Sequence, residues 1–395
     1  MFSKIVYFRH NVLGSGSHGI VYAAEEEGTG RTVALKASRV SLNVVRSSLR
    51  HEARVMQLLQ GHSAVPVLLG YARRPHFEYM AMELLGSSLR RQVKSGCALS
   101  LGTVARVGEQ MLSALEHLAS HRIVHRDIKP HNILVSCVDS ARVVLVDFSI
   151  AHHLSSVQAT LACNDGKSPL AFPSGTTQFC SLEAHTGGAP DPHDDLESLA
   201  YVLLFLCLGD LPWHVADPYR SSTEVYKRSV MDTYLAKQAL TSSFPVSIPL
   251  EIANMLESAR RRKNSDLFSS SITKLRSQFC RLVSSLGECN KNPLDWTPVL
   301  PLASPPLSTA RPDSGDCAPR QSIHLLDRLD TYDNEEPINE YFTDSYYGSD
   351  LGDWLGPAFG RMLSLTLPAD DTEFLDGQLP KIAEVQMCRL PPRTW

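Results

Sequence analysis

The sequence predicts an α+β fold of two lobes, a β-rich N-terminal lobe and a mainly helical C-terminal lobe, followed by a disordered tail. Three observations carry this. Short β-like runs in the first 85 residues surround a glycine-rich stretch, Leu13-Gly-Ser-Gly-Ser-His-Gly-Ile-Val21. Further on, the ten residues Leu199 to Leu208 are almost wholly apolar, as a helix buried on all sides would be. Near residue 290 the composition turns to Pro and Ser, and then to acids. The 395 residues exceed one average domain, and 43% hydrophobic content suffices for a sizeable core.

Val6-Tyr-Phe and Val21-Tyr flank the glycine stretch like the arms of a hairpin. Gly14, Gly16 and Gly19 allow positive φ angles and close approach of backbone to a ligand, although such a pattern alone often marks only a flexible turn. Val33-Ala-Leu-Lys36 reads as a third strand ending in a lysine. In Leu49 to Leu59, apolar residues at 49, 55, 56, 58 and 59 approximate one helical face. That helix carries Glu52, sixteen residues after Lys36; by local pattern alone both charges would be solvated. Residues 123 to 134 read Ile-Val-His-Arg-Asp-Ile-Lys-Pro-His-Asn-Ile-Leu, with Asp127, Lys129 and Asn132 between apolar segments. Val143-Val-Leu-Val-Asp-Phe-Ser149 is a β-rich run ending in a carboxylate, Asp147, twenty residues after Asp127.

The stretch 123 to 134 matches the catalytic-loop signature of protein kinases, and the chain resembles that superfamily. The resemblance implies ATP and Mg2+ as cofactors and protein Ser/Thr hydroxyls as substrates. Asp127 would accept the proton of the attacking hydroxyl, and Lys129 would neutralise charge on the transferring phosphoryl group. Asn132 and Asp147 would hold magnesium, and Lys36 would bind ATP while paired to Glu52. Leu13, Gly14, Gly16 and Gly19 would cover the phosphates. Adenine would lie between Val21 and Ala34 above and Leu134 below. Met82 would be the gatekeeper, and the backbone from Glu83 to Leu85 would supply hydrogen bonds at a hinge near 83 to 86. Lys129 fits Ser/Thr rather than tyrosine kinases.

More narrowly, Met82-Glu-Leu-Leu-Gly-Ser-Ser-Leu89, Gly175-Thr-Thr-Gln-Phe-Cys-Ser-Leu-Glu-Ala-His185, Asp194-Asp-Leu-Glu-Ser-Leu-Ala-Tyr-Val-Leu203 and Leu208-Gly-Asp-Leu-Pro-Trp213 resemble the casein kinase 1 family. The resemblance covers roughly residues 5 to 285. It implies a kinase domain over 5–287, with an N-lobe to about 85 and a C-lobe from about 86, and a tail over 288–395. Asp195 would organise the catalytic loop from behind. Three departures stand out. Ser149 replaces the glycine of Asp-Phe-Gly, at about 1 kcal/mol if the native φ is unusual for Ser. Ser181-Leu-Glu183 is a hybrid of the family triplet and the general kinase one. Gln178 stands where the family carries a basic residue, which argues against strong selection for primed substrates.

A formal charge of −4 and a pI near 6.4 give no nucleic-acid signature. The ten-residue apolar run is too short to span a bilayer. Nine cysteines, an odd number without a Cys-x-x-Cys pair or a signal-peptide pattern, point to a reduced intracellular compartment, the cytoplasm. Arg260-Arg-Arg-Lys263 leaves nuclear entry open, although basics at a helix end commonly face solvent. His152-His153 reads as a surface pair, and the protein as a monomer. Residues 291–323 read as a Pro/Ser linker. Residues 327–353 hold nine acids against Arg328, a net of −8, which leaves +4 for the rest of a −4 chain. That acidic tract either solubilises the protein, docks back on the kinase domain or binds a partner. Two other functions compete. An ATP-binding pseudokinase or scaffold is favoured by Ser149 and Gln178 but has no need of Lys36, Asp127, Asn132 and Asp147. A small-molecule phosphotransferase would not need the peptide platform at Gly175-Thr176.

Overall fold

In the computed structural model, residues 2–16, 19–41, 47–94, 97–154, 173–213, 215, 221–240, 248–261, 268–288, 293–297 and 382–389 are described. The N-terminal lobe opens with strands β1 (Phe2–Gly16), β2 (Gly19–Glu26) and β3 (Arg31–Arg39), followed by helix α1 (Ser48–Leu58) and strands β4 (Leu68–Arg73) and β5 (Phe77–Glu83). The chain then crosses through β6 (Leu85–Ser88) and the single turn α2 (Leu89–Gln92) into α3 (Leu101–Ser120). Short strands β7 (Ile123–Val124), β8 (Ile133–Ser136), β9 (Val143–Leu145) and β10 (His152–His153) frame the candidate site, with a 3-10 turn at Pro130–Asn132. Helices α4 (Leu182–Thr186), α5 (Pro192–Leu208), α6 (Thr223–Ala239), α7 (Leu250–Arg260) and α8 (Phe268–Ser285) complete the second lobe. The last described element is a strand, β11 (Ile382–Arg389). The two-lobed α+β arrangement is the one the sequence predicts.

Strand β11 is one regular element, within the tail, that the sequence reading does not anticipate. It lies between β1 and β4 and closes the sheet into a barrel of order β1-β11-β4-β5-β3-β2. The local cause is visible in Ile-Ala-Glu-Val-Gln-Met-Cys-Arg, which lies between Pro380 and Pro391 and alternates apolar and polar residues over 383–387. Alternation of period two suits a strand with one buried face, and proline delimits it. The acidic tract and residues 298–323 of the expected linker lie outside the described residues.

Helix α1 starts at Ser47, whose hydroxyl accepts from the Arg50 N–H. It buries Leu49, Ala53, Val55 and Met56 together with Glu52. Leu58, expected on that face, is half-buried, because the helix ends there and Leu59 fills the core instead. Helix α5 is buried throughout from His193 to Leu206, as its apolar run predicts. An Asp191–Asp194 capping box with Pro192 starts it, and Gly209 at φ 79° ends it.

Three surface expectations are corrected. Arg260 points inward, pairing with Glu197 at 3.2 Å and donating to the Lys237 carbonyl and the Tyr201 hydroxyl. Arg262 and Lys263 lie outside the described residues. His152 and His153 are half-buried, because β10 pairs with β7. Finally, packing continues past 287 into the expected linker. Leu294 is buried, Asp295 accepts from the Ser100 and Thr103 hydroxyls, and the Trp296 indole N–H donates to the Ser140 carbonyl. None of the described helices is long and apolar enough to cross a membrane.

Candidate active site

Strand register builds the upper wall. Pairing of β2 with β3 sets Val21 opposite Lys36, and pairing of β3 with β5 sets Ala34 opposite Met82. The Lys36 ammonium lies 2.7 Å from Glu52 Oε2 on α1 and 3.3 Å from Asp147 Oδ1. Burial works against charge on Lys36, but Glu52 and Asp147 outweigh it and hold its pKa above the ordinary lysine value. Burial also pushes Glu52 upward, against the pull of Lys36. With two carboxylates facing one ammonium, the ion-paired form is the one that stands.

The lower wall is the loop after β7, held from behind by α5. Asp195 Oδ2 accepts from the His125 N–H at 2.6 Å, and its Oδ1 from the Arg126 N–H at 2.8 Å. Burial pushes the Asp195 carboxyl up to about 7, against those two hydrogen bonds. The arrangement supports Arg126 at φ 71°, a conformation that costs a non-glycine residue about 1–3 kcal/mol. His125 is fully buried, which holds its pKa low. Its Nε2 meets the Val146 carbonyl at 3.1 Å and its Nδ1 the Asp127 N–H at 3.2 Å, which assigns the neutral Nε2-H tautomer.

The Asp127 carboxylate meets four groups from three residues. Thr176 gives its Oδ1 both a backbone N–H, at 3.0 Å, and its hydroxyl, at 2.7 Å. Oδ2 lies 2.7 Å from the Lys129 ammonium and accepts from the Asn132 amide at 3.1 Å. Lys129 also donates to the Thr176 hydroxyl at 2.9 Å, so that one hydroxyl bridges the carboxylate and the cation. The close approach requires glycine at 175: at its φ of 81°, a Cβ would lie 2.4 Å from the Arg126 carbonyl oxygen.

Asp147 takes φ 67°, and Phe148 behind it is fully buried with its ring 5.0 Å from that of His125. Ser149 is buried and is not among the residues at positive φ, so in this state the missing glycine costs no backbone strain. Gly14 and Gly16 face open space, where an added Cβ would meet nothing within 4 Å, whereas Gly19 is forced by the Ala37 carbonyl 2.3 Å from such a Cβ. Leu13 is exposed at the mouth and Leu134 half-buried on β8. At the lobe junction the Glu83 carboxylate turns away to Arg142, at 2.9 Å, and to the Val67 N–H. The Glu83 N–H donates to the Val67 carbonyl, which leaves its own carbonyl as the hinge group it can offer. Leu85 follows on β6, paired with Ser136.

Among the described residues, no group of three or more His, Cys, Asp or Glu is placed to enclose a metal ion. Asp147 and Asn132 offer hard oxygen donors, and the Val146 N–H donating to the Asn132 carbonyl at 2.9 Å ties their segments together. Two such ligands suit Mg2+, which completes its shell with phosphate oxygens and water.

Sequence reasoning missed two residues here. Thr176 was seen only as part of a peptide platform. Lys237, fully buried on α6, donates to the carbonyls of Thr177, at 2.8 Å, and Cys180, at 2.7 Å, and fixes that platform from below. A family model described as protein kinase domain matches residues 7–283, which is 277 of the 395 residues.

Proposed function

The chain belongs to the protein kinase family, and on that footing we propose that it is an active Ser/Thr kinase of the casein kinase 1 type. It transfers the ATP γ-phosphoryl group to protein hydroxyls. The observation that carries this is the Thr176 hydroxyl held between Asp127 and Lys129. A short aliphatic hydroxyl fits between the base and the cation, as a substrate Ser or Thr must.

Asp127 accepts the hydroxyl proton as the oxygen attacks, and Lys129 offsets the charge developing on the transferred group. Lys36, kept protonated by Glu52 and Asp147, holds the nucleotide phosphates under the glycine loop. Asp147 and Asn132 would hold magnesium, which would supply neutralising charge for the nucleotide phosphates. The casein kinase 1 reading is supported by the way its motifs meet: Ser181 of the 175–185 stretch donates to Asp194 of the 194–203 stretch at 2.7 Å. Ser149 is not at positive φ, so backbone strain at that position does not speak for the scaffold alternative.

The test uses radiolabelled ATP with casein and acidic peptides. Wild type is expected to transfer phosphate, and Asp127→Asn and Lys36→Met to lose at least about 10²-fold in rate while remaining folded. Wild type that binds ATP but transfers nothing would establish the scaffold reading instead.

A further inference from the structure

The geometry points to Ile382–Arg389 as a docking strand, and to the slot between β1 and β4 as a β-augmentation site whose occupant is this chain's own C-terminal segment. The inference does not depend on the catalytic reading, because it concerns only which backbone fills the slot.

Without β11 the sheet is the open series β1-β2-β3-β5-β4, with β1 and β4 as free edges. Such edges are ready templates for an extended peptide, which main-chain hydrogen bonds hold and alternate residues select. The β11 segment meets both demands. It pairs antiparallel with β1 over seven positions, from Phe2↔Cys388 to Phe8↔Ile382. It pairs with β4 over two, Cys388↔Tyr71 and Arg389↔Gly70. The register places Val385 opposite Ile5 and Ala383 opposite Tyr7. Ile5 and Tyr7 are buried in the smaller core inside the barrel, with Val33, Leu35 and Tyr79. Ala383 and Val385 thus stand at the register positions of buried β1 residues, while Glu384 and Gln386 stand opposite Val6 and Lys4. A one-residue slip would reverse that match, so the pattern specifies the register.

The occupant can arrive in cis. The 84 residues from 298 to 381 could span up to about 280 Å when extended, so length does not prevent the return from the Thr297 anchor to the slot. Tethering also makes docking intramolecular, which favours this segment over peptides in solution. The seven pairs grip the outer half of β1. Beyond two register irregularities, between Tyr7 and Val12 and between Val12 and Gly14, the same strand carries Gly14 and Gly16. Docking thus anchors the root of the glycine loop.

Two measurements on the full chain test this. Phe2→Cys places a thiol opposite Cys388, and mild oxidation with diamide should give a 2–388 disulfide in monomeric protein. It should form at least about tenfold faster than the 4–388 product of Lys4→Cys, whose partner is two positions away. In hydrogen exchange, Val385→Asp should speed exchange across Phe2–Phe8 by at least about tenfold, and across Leu68–Arg73 by less, while α5 is unchanged. A peptide of residues 380–391 added to that variant should restore protection. Absence of the 2–388 disulfide overturns the proposal, as does its appearance only in dimers, which would make the occupant a second copy. Unchanged exchange at β1 overturns it too. If Val385→Asp loosens α5 as well, the disulfide decides alone.

Discussion

His185 and Lys237 face each other at 3.2 Å beneath the Thr176 segment, both fully buried. With its Nε2 turned to the ammonium, His185 is held neutral: burial, and then Lys237, lower its pKa to about 3. Two carbonyls and the faces of Tyr201 and Trp213 surround the ammonium instead. Because the folded pKa lies below the ordinary value, this histidine favours the folded state fully above about pH 6.5. That contribution is lost as pH falls toward 3, by up to about 1.4 kcal/mol per pH unit. His185→Gln should therefore show a flatter decline of melting temperature between pH 6.5 and 4 than wild type; an identical decline would rule the pair out as the cause. At Ser149 the absence of strain predicts that Ser149→Gly changes kcat by less than about tenfold, equivalent to roughly 1.4 kcal/mol. A gain of several hundredfold would mark the natural protein as impaired. Lys36, Glu52, Asp127, Asn132 and Asp147 could be picked out as candidates because the kinase motifs they match have fixed spacings along the chain. Lys237 was not: nothing around position 237 signals that its partners lie 57 and 60 residues away.

Among the elements, the segment Ser174–Ser181 depends most on a single residue. Gly175 combines φ 81° with a backbone contact that leaves no room for Cβ, so Gly175→Ala must displace either Thr176 or the catalytic loop. A displacement of about 1 Å at reacting groups costs about 10²-fold in rate. We therefore expect kcat to fall about that much, with a stability loss of only about 1–3 kcal/mol. Comparing kcat with the melting midpoint checks this, and a loss of stability with normal kcat would contradict it. Helices α1 and α5 could be read from apolar pattern, since each packs against what that pattern demands. Strand β11 could not. Its alternation and flanking prolines are present, but eight residues in a polar tail give no hint of the edges 380 positions upstream that need them. Likewise Asp295 and Trp296 sit in a Pro-rich stretch, and only the fold brings them against Ser100 and Ser140.

At the scale of the whole molecule, the two lobes followed from composition and motif order, while the closure of the first lobe followed from neither. Position 2 pairs with position 388, a separation of 386 residues, about as non-local as a contact in this chain can be. Non-local pairings fold slowly, because loop-closure entropy opposes them before any contact forms. Synthesis proceeds at about 5–20 residues per second, so β1 emerges roughly 20–80 s before its outer partner has been made. Throughout that interval a nascent lobe carries two unpaired sheet edges, the surfaces most prone to join another chain. The N-terminal lobe is thus made before the strand that completes it, and a premature stop codon anywhere before 382 would leave it permanently open.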